Sequence, residues 1–118
     1  MSESKEYVSQ NVENGYIHIS EEVVASIASM AIRDVDGVYG LHTGAGKKNA
    51  KSIRLVISED DEISIDCYIV VLYGYSVVEV AKAVQEAVTS TVESTTGRKV
   101  RNVNVSISGI SVARDAKK

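Results

Sequence analysis

The chain of 118 residues contains no proline, no tryptophan, no phenylalanine and one cysteine. Each absence excludes something. A single cysteine rules out an internal disulfide and a cysteine-based zinc site. Without Phe or Trp, the core must be filled by Val, Ile, Leu and Ala, and a base-stacking platform would have only tyrosines to build on. Positive charge is not in excess: 13 Lys and Arg face 16 Asp and Glu, for a net charge of −3 and a pI of about 5.4. No global positive field exists to hold a nucleic-acid backbone or an anionic membrane. The longest apolar run, Tyr68–Tyr73, is far short of the ~20 residues that span a bilayer. The start, Met1–Glu6, is polar and has no signal-like apolar core. These features predict one cytoplasmic domain in a reducing compartment, without direct membrane insertion.

What is present is a strand-into-helix junction that occurs twice. Tyr16–Ser20 alternates apolar and polar residues and runs into Glu21–Ala28; Ile69–Ser76 runs into Val77–Val84. Each junction has a serine at the helix N-cap position and carboxylates in the first turn, where the helix dipole favours them. Residues 1–14 are polar and without a period, which predicts a disordered arm. A first helix is expected from Glu21 to about Val35, ended by Gly37 in the left-handed region. Val38–Leu41 is a short extended piece. His42–Ser52 is a glycine- and lysine-rich loop. Ile53–Ser58 and Ile63–Leu72 alternate on either side of the acidic turn Glu59–Glu62 and should pair antiparallel. Ser76-Val77-Val78-Glu79 fits the capping box that opens a second helix. Gly97 stops that helix, and Val103, Val105 and Ile107 mark a last strand. Residues 113–118 are a charged tail.

The order strand-helix-strand-strand-helix-strand, with one apolar stripe per helix, predicts an α+β two-layer sandwich over residues 15–112. It should have a mostly antiparallel sheet with both helices on one face. Val24, Ile27, Ala31, Ile65, Cys67, Ile69, Val80, Val84, Val105 and Ile107 are the expected core.

No residue constellation here carries catalysis. His42–Lys48 invites a phosphate-loop reading, but the required first glycine falls on Leu41. Lys48 stands where a magnesium-binding hydroxyl belongs. The loop also resembles, loosely, the glycine clamp of KH-type RNA binders. An RNA-associated module using loop 47–51 and a second basic spot, Arg98–Arg101, is therefore the alternative reading. Cys67 reads as a small buried hydrophobe and His18 as a surface or interface histidine. Two histidines and one cysteine offer no metal set without carboxylates, and none is suitably placed; no cofactor is implied. The acidic turn lacks a calcium-loop spacing and reads as a solvated turn.

One pattern stands out. Tyr68, Val70 and Leu72 alternate onto the strand face turned away from the helices, and Tyr16 and His18 are candidates to join them. An apolar face there needs a cover, either a partner or the chain's own arm or tail. These five residues are the expected protein-interaction surface.

The ordered series of short motifs resembles a known family. It comprises G-Y-I-H-I-S (Gly15–Ser20), E-E-V-V-A-S-I-A (Glu21–Ala28), A-x-x-D-V-D-G-V-Y-G-L (Ala31–Leu41) and I-D-C-Y-I-V-V-L-Y-G (Ile65–Gly74). V-A-K-A-V-Q (Val80–Gln85), T-T-G (Thr95–Gly97) and V-N-V-S-I-S-G-I (Val103–Ile110) complete it. Over residues 15–112 the chain is similar to the alkaline shock, or envelope stress response, proteins of Gram-positive bacteria. That resemblance implies a small non-enzymatic α+β protein linked to cell-envelope stress. It further implies self-association into a homo-oligomer or attachment to a membrane-anchoring protein, and no catalytic residues. The loop from His42 to Ser52 is shorter than is common in the family.

Overall fold

A computed structural model describes residues 6–41 and 52–112. Six strands and two helices follow in the order β1 (Tyr7–Val12), β2 (Gly15–Ser20), α1 (Glu21–Arg33), β3 (Val38–Leu41), β4 (Ile53–Ile57), β5 (Ile63–Leu72), α2 (Val77–Thr96) and β6 (Val100–Ser111). The sandwich is α+β as expected, but two connections differ from the sequence reading.

The long strand β5 is the spine of the main sheet. β6 runs parallel along one of its edges from Ile63 to Leu72. β4 and β3 share the other edge, both antiparallel, β4 against Ile63–Cys67 and β3 against Ile69–Val71. The parallel β5–β6 pair is possible because α2 lies between them and carries the chain back, a crossover that two-residue turns cannot make. The short extended piece at Val38–Leu41 is thus a full member of the sheet.

The second difference is at the start. Residues up to 14 were expected to be a disordered arm. Instead Tyr7–Val12 forms β1, which pairs with β2 in a separate two-stranded sheet, from Tyr7 against Ser20 to Val12 against Gly15. The polar residues that hide the period are consumed by tertiary bonds. The Ser9 amide donates to Asp61 Oδ1 at 3.2 Å and Gln10 Nε2 to the Gly97 carbonyl at 3.3 Å. Val8 enters the core fully buried.

Both serine caps form. Ser20 Oγ accepts from the Val23 amide at 3.2 Å and Ser76 Oγ from the Glu79 amide at 3.3 Å. Each bond satisfies one orphan donor of a helix start and contributes about 1 kcal/mol. α1 ends two residues early, at Arg33, because the Val35 amide turns back to the Ile32 carbonyl at 3.1 Å. α2 closes on Gly97, left-handed at φ 76, whose amide donates to the Glu93 carbonyl.

The core is one cluster between the helices and a single face of the sheet. Val24, Ala28, Ala31 and Ile32 of α1 and Val80, Val84, Val88 and Val92 of α2 meet Ile63, Ile65, Cys67, Ile69 and Val71 of β5. Of the ten expected core residues, Ile27, Val105 and Ile107 are only partly buried and pack at its margin.

Candidate interaction surface

The alternation of β5 turns every second side chain away from the helices. On that open face lie Ser64, Asp66, Tyr68, Val70 and Leu72. Register adds Arg54 and Val56 from β4 and Asn104 and Ser106 from β6. Along β5 the face changes character. At one end it is polar, with Asn104 Nδ2 donating to Asp66 Oδ1 at 2.8 Å. At the other it is apolar. Tyr68 is 37% exposed, and Val70 and Leu72 are half-buried. Val56, also exposed, lies opposite Ser64 at the polar end.

Glycine keeps this end open. Val70 stands opposite Gly40 of β3 and Gly109 of β6. Neither carries a side chain, and a Cβ at Gly109 would lie 3.9 Å from Val70 Cγ2. Tyr68 is flanked by Ser106, also small. Small residues thus flank Tyr68 and Val70 on this face. Gly40 and Gly109 belong to this surface and were not among the sequence candidates.

The structure does not bring Tyr16 and His18 onto this face. They sit on β2, in the other sheet, where His18 stacks between Tyr7 (ring centroids 4.1 Å apart) and Tyr16 (4.5 Å). Every residue from Asn11 to His18 is exposed, on both faces of the hairpin. The hairpin tip therefore projects from the body, and only its base, at Val8 and Ile19, packs against the core. The described start of the chain, from residue 6, consequently packs at the core margin and not on the open sheet face.

The remaining sequence candidates fall away for visible reasons. Burial, and secondarily the Asp66 carboxylate, push the Cys67 thiol up to about 11, so it is an inert core residue and no nucleophile. The second basic spot is largely neutralised: Arg98 pairs with Asp61 at 3.1 Å, and Arg101 lies 3.5 Å from Glu62. Asp61 was read as part of a solvated turn. It is in fact buried, at φ 64, and also accepts the Ser9 amide. The basic loop at 47–51 lies outside the described residues. Among those described, no three His, Cys, Asp or Glu residues form a group able to hold a metal. A shallow trough of about 750 Å³ runs along α2, lined by Gln85, Glu86, Thr89, Ser90, Glu93 and Ser94. No described helix is long and apolar enough to cross a membrane.

The fold and its surface thus define a small two-layer α+β module with an open, part-apolar sheet face. Residues 9–112 match the model of the ASP23 (alkaline shock protein) family, described as having a cell envelope-related function, and the chain belongs to that family. Curated relatives include two uncharacterized proteins of Bacillus subtilis. YqhY is 36% identical over 81% of this chain and 77% of its own length, and YloU 36% identical over 83% and 90%. The uncharacterized protein Spy1614 of Streptococcus pyogenes is 33% identical over 86% and 93%. Among solved structures, a MamM CTD variant superimposes with a TM-score of 0.52 at 24% identity, covering 75% of this chain and 96% of its own. A nickel form of another variant gives 0.51 at 24%, covering 75% and 96%. These likenesses establish a shared fold.

Proposed function

We propose that this protein is a non-enzymatic interaction module of the cell-envelope stress response, working on the cytoplasmic side through a second copy or a membrane-anchoring protein. The open sheet face around Tyr68, Val70 and Leu72 is its contact surface. The observation that carries this is the apolar end of the open face. Apolar side chains stand on the sheet face opposite the helices, flanked by Gly40, Gly109 and Ser106, and the only other described sheet packs elsewhere. A tyrosine suits a surface that is sometimes wet, because its ring adds apolar area and its hydroxyl tolerates water. Covering the three side chains contributes roughly 25 cal/mol per Å², from which the cost of association is subtracted. The expected contact is weak and concentration-dependent. The cell-envelope role of the family supports the same reading.

The test is sedimentation over a wide concentration range, paired with capture of envelope proteins on the immobilised protein. Tyr68→Asp with Leu72→Asp should abolish capture and lower the assembly size seen by sedimentation, while the circular dichroism spectrum stays that of the folded protein. Unchanged assembly size and capture in a folded double variant would remove this face from the function. Loss of the fold would show that the face is covered by the chain itself.

A further inference from the structure

The sheet has a second unsatisfied feature, the outer edge of β6. Parallel pairing with β5 fixes which backbone groups point inward. Ile63 N donates to the Lys99 carbonyl and Tyr73 N to the Ser111 carbonyl, and Ile65, Cys67, Ile69 and Val71 stand opposite Val103, Val105, Ile107 and Ile110. In a parallel ladder the residue standing opposite such a β5 position sends its own N–H and C=O away from β5. Val103, Val105, Ile107 and Ile110 therefore direct their backbone groups outward.

The chain closes one half of this edge itself. Glu93 Oε2 of α2 accepts the Val100 amide at 2.9 Å, and Gln85 Nε2 donates to the Val103 carbonyl at 3.0 Å. Beyond Val103 the edge is bare, with no described group bonded to the outward amides and carbonyls of Val105, Ile107 and Ile110. The usual defences of a bare edge are charge, proline or a covering element. From Val103 to Val112 the sequence V-N-V-S-I-S-G-I-S-V has no charge and no proline. Only the bulge after Ile107 interrupts it. Ile110, near its end, is 49% exposed.

We propose that residues 104–108, the part of the bare edge before the bulge, pair antiparallel with the same residues of a second copy, centred on Ser106. Under a two-fold axis there, Val105 and Ile107 of one copy exchange backbone hydrogen bonds with Ile107 and Val105 of the other. An uncharged segment places no like charges opposite each other, which is what self-pairing requires and what most edges are built to prevent. Side chains match as well. Val105 and Ile107 continue the helix-side core margin across the axis, and Asn104 and Ser106 continue the polar margin of the open face. This deepens the proposed function by giving self-association its own surface. It leaves the open face free for a different partner.

In this arrangement the two Ser106 residues form a non-hydrogen-bonded pair, with Cα atoms roughly 4.5 Å apart, inside the range a disulfide spans. Ser106 is exposed, and the native Cys67 is buried and does not compete. Ser106→Cys should cross-link to a dimer under mild oxidation at least about tenfold faster than Ser90→Cys on α2, because pairing raises the effective thiol concentration. Raising the concentration of wild-type protein should slow amide exchange at Val105 and Ile107 and leave the inward amides of Asn104 and Ser106 unchanged. Equal cross-linking of the two cysteine variants, or concentration-independent exchange at Val105 and Ile107, overturns the proposal. Placing Tyr68→Asp and Leu72→Asp in the Ser106→Cys background separates the two readings. Edge pairing predicts that cross-linking persists, and its loss assigns self-association to the open face instead.

Discussion

At Gly37 no side chain fits. The residue lies at φ 96, where side chains are strained, and a Cβ there would meet Tyr75 Cδ2 and Val80 Cγ2 at 2.7 Å each. Its carbonyl meanwhile accepts the Leu72 amide at 2.8 Å, tying the end of α1 to the end of β5. The sequence marks Gly37 as a helix stop, but the close approach of Tyr75 and Val80 is tertiary and leaves no local trace. Gly37→Ala combines backbone strain with overpacking and should cost roughly 2–4 kcal/mol, read as a lower urea midpoint with unchanged slope. Cys67 makes a second residue-scale point. Alternation alone assigns it to the core, and burial holds its thiol near 11 against an ordinary 9.0. Between those values the folded protein keeps a proton that the unfolded chain releases. That contribution to stability is complete below pH 9 and is lost as pH rises through about 11. The loss amounts to about 2–3 kcal/mol. Denaturation of wild type and Cys67→Ala at several pH values isolates this from the titration of Tyr and Lys. The variant's curve should be flatter above pH 9, and parallel curves would refute the assignment.

Among the elements, local signals and tertiary fates part company. The two strand-into-helix junctions look alike in sequence, and both serine caps form as their spacing requires. Yet the two strands end differently: β5 becomes the spine of the main sheet, while β2 leaves it to pair with β1. Nothing between Tyr16 and Ser20 distinguishes these outcomes, because a partner far along the chain decides them. The same reasoning explains why Tyr16 and His18 seemed to belong with Tyr68. Their alternation places them on one face of their strand correctly, but cannot say which sheet that strand joins. β1 was illegible for another reason. A single buried valine, Val8, anchors it, and its polar residues carry bonds to groups 52 and 87 positions away. The parallel β5–β6 pairing likewise follows from how α2 packs and not from the strands themselves. By contrast, the face bearing Tyr68, Val70 and Leu72 was fully legible, since a period of two on one long strand needs no partner to define it.

Over the whole molecule, one buried carboxylate joins three parts that the chain visits separately. Asp61, in the turn between β4 and β5, accepts the Ser9 amide of β1 and pairs with Arg98 beyond the end of α2. Gly97, next to Arg98, is held in turn by Gln10 of the same hairpin. The base of the projecting hairpin is therefore fixed to the main sheet by polar bonds at one corner and by Val8 in the core. The positive φ of Asp61 explains why a short polar residue occupies that turn, since Asp and Asn tolerate the left-handed region better than other side chains. Asp61→Asn preserves the backbone and the size but presents an amide to Arg98 in place of a carboxylate. Among the described residues nothing bonds the buried Nε of Arg98, so losing its counter-charge leaves the guanidinium poorly satisfied. A loss of about 1–3 kcal/mol in urea unfolding is expected, since a part-buried charged hydrogen bond is worth more than an exposed pair. The hairpin amides around Ser9 should also exchange faster, because the corner that anchors them has weakened. Unchanged stability would make the pair an ordinary surface contact and leave the Gln10 bond and the packing of Val8 and Ile19 to hold the hairpin.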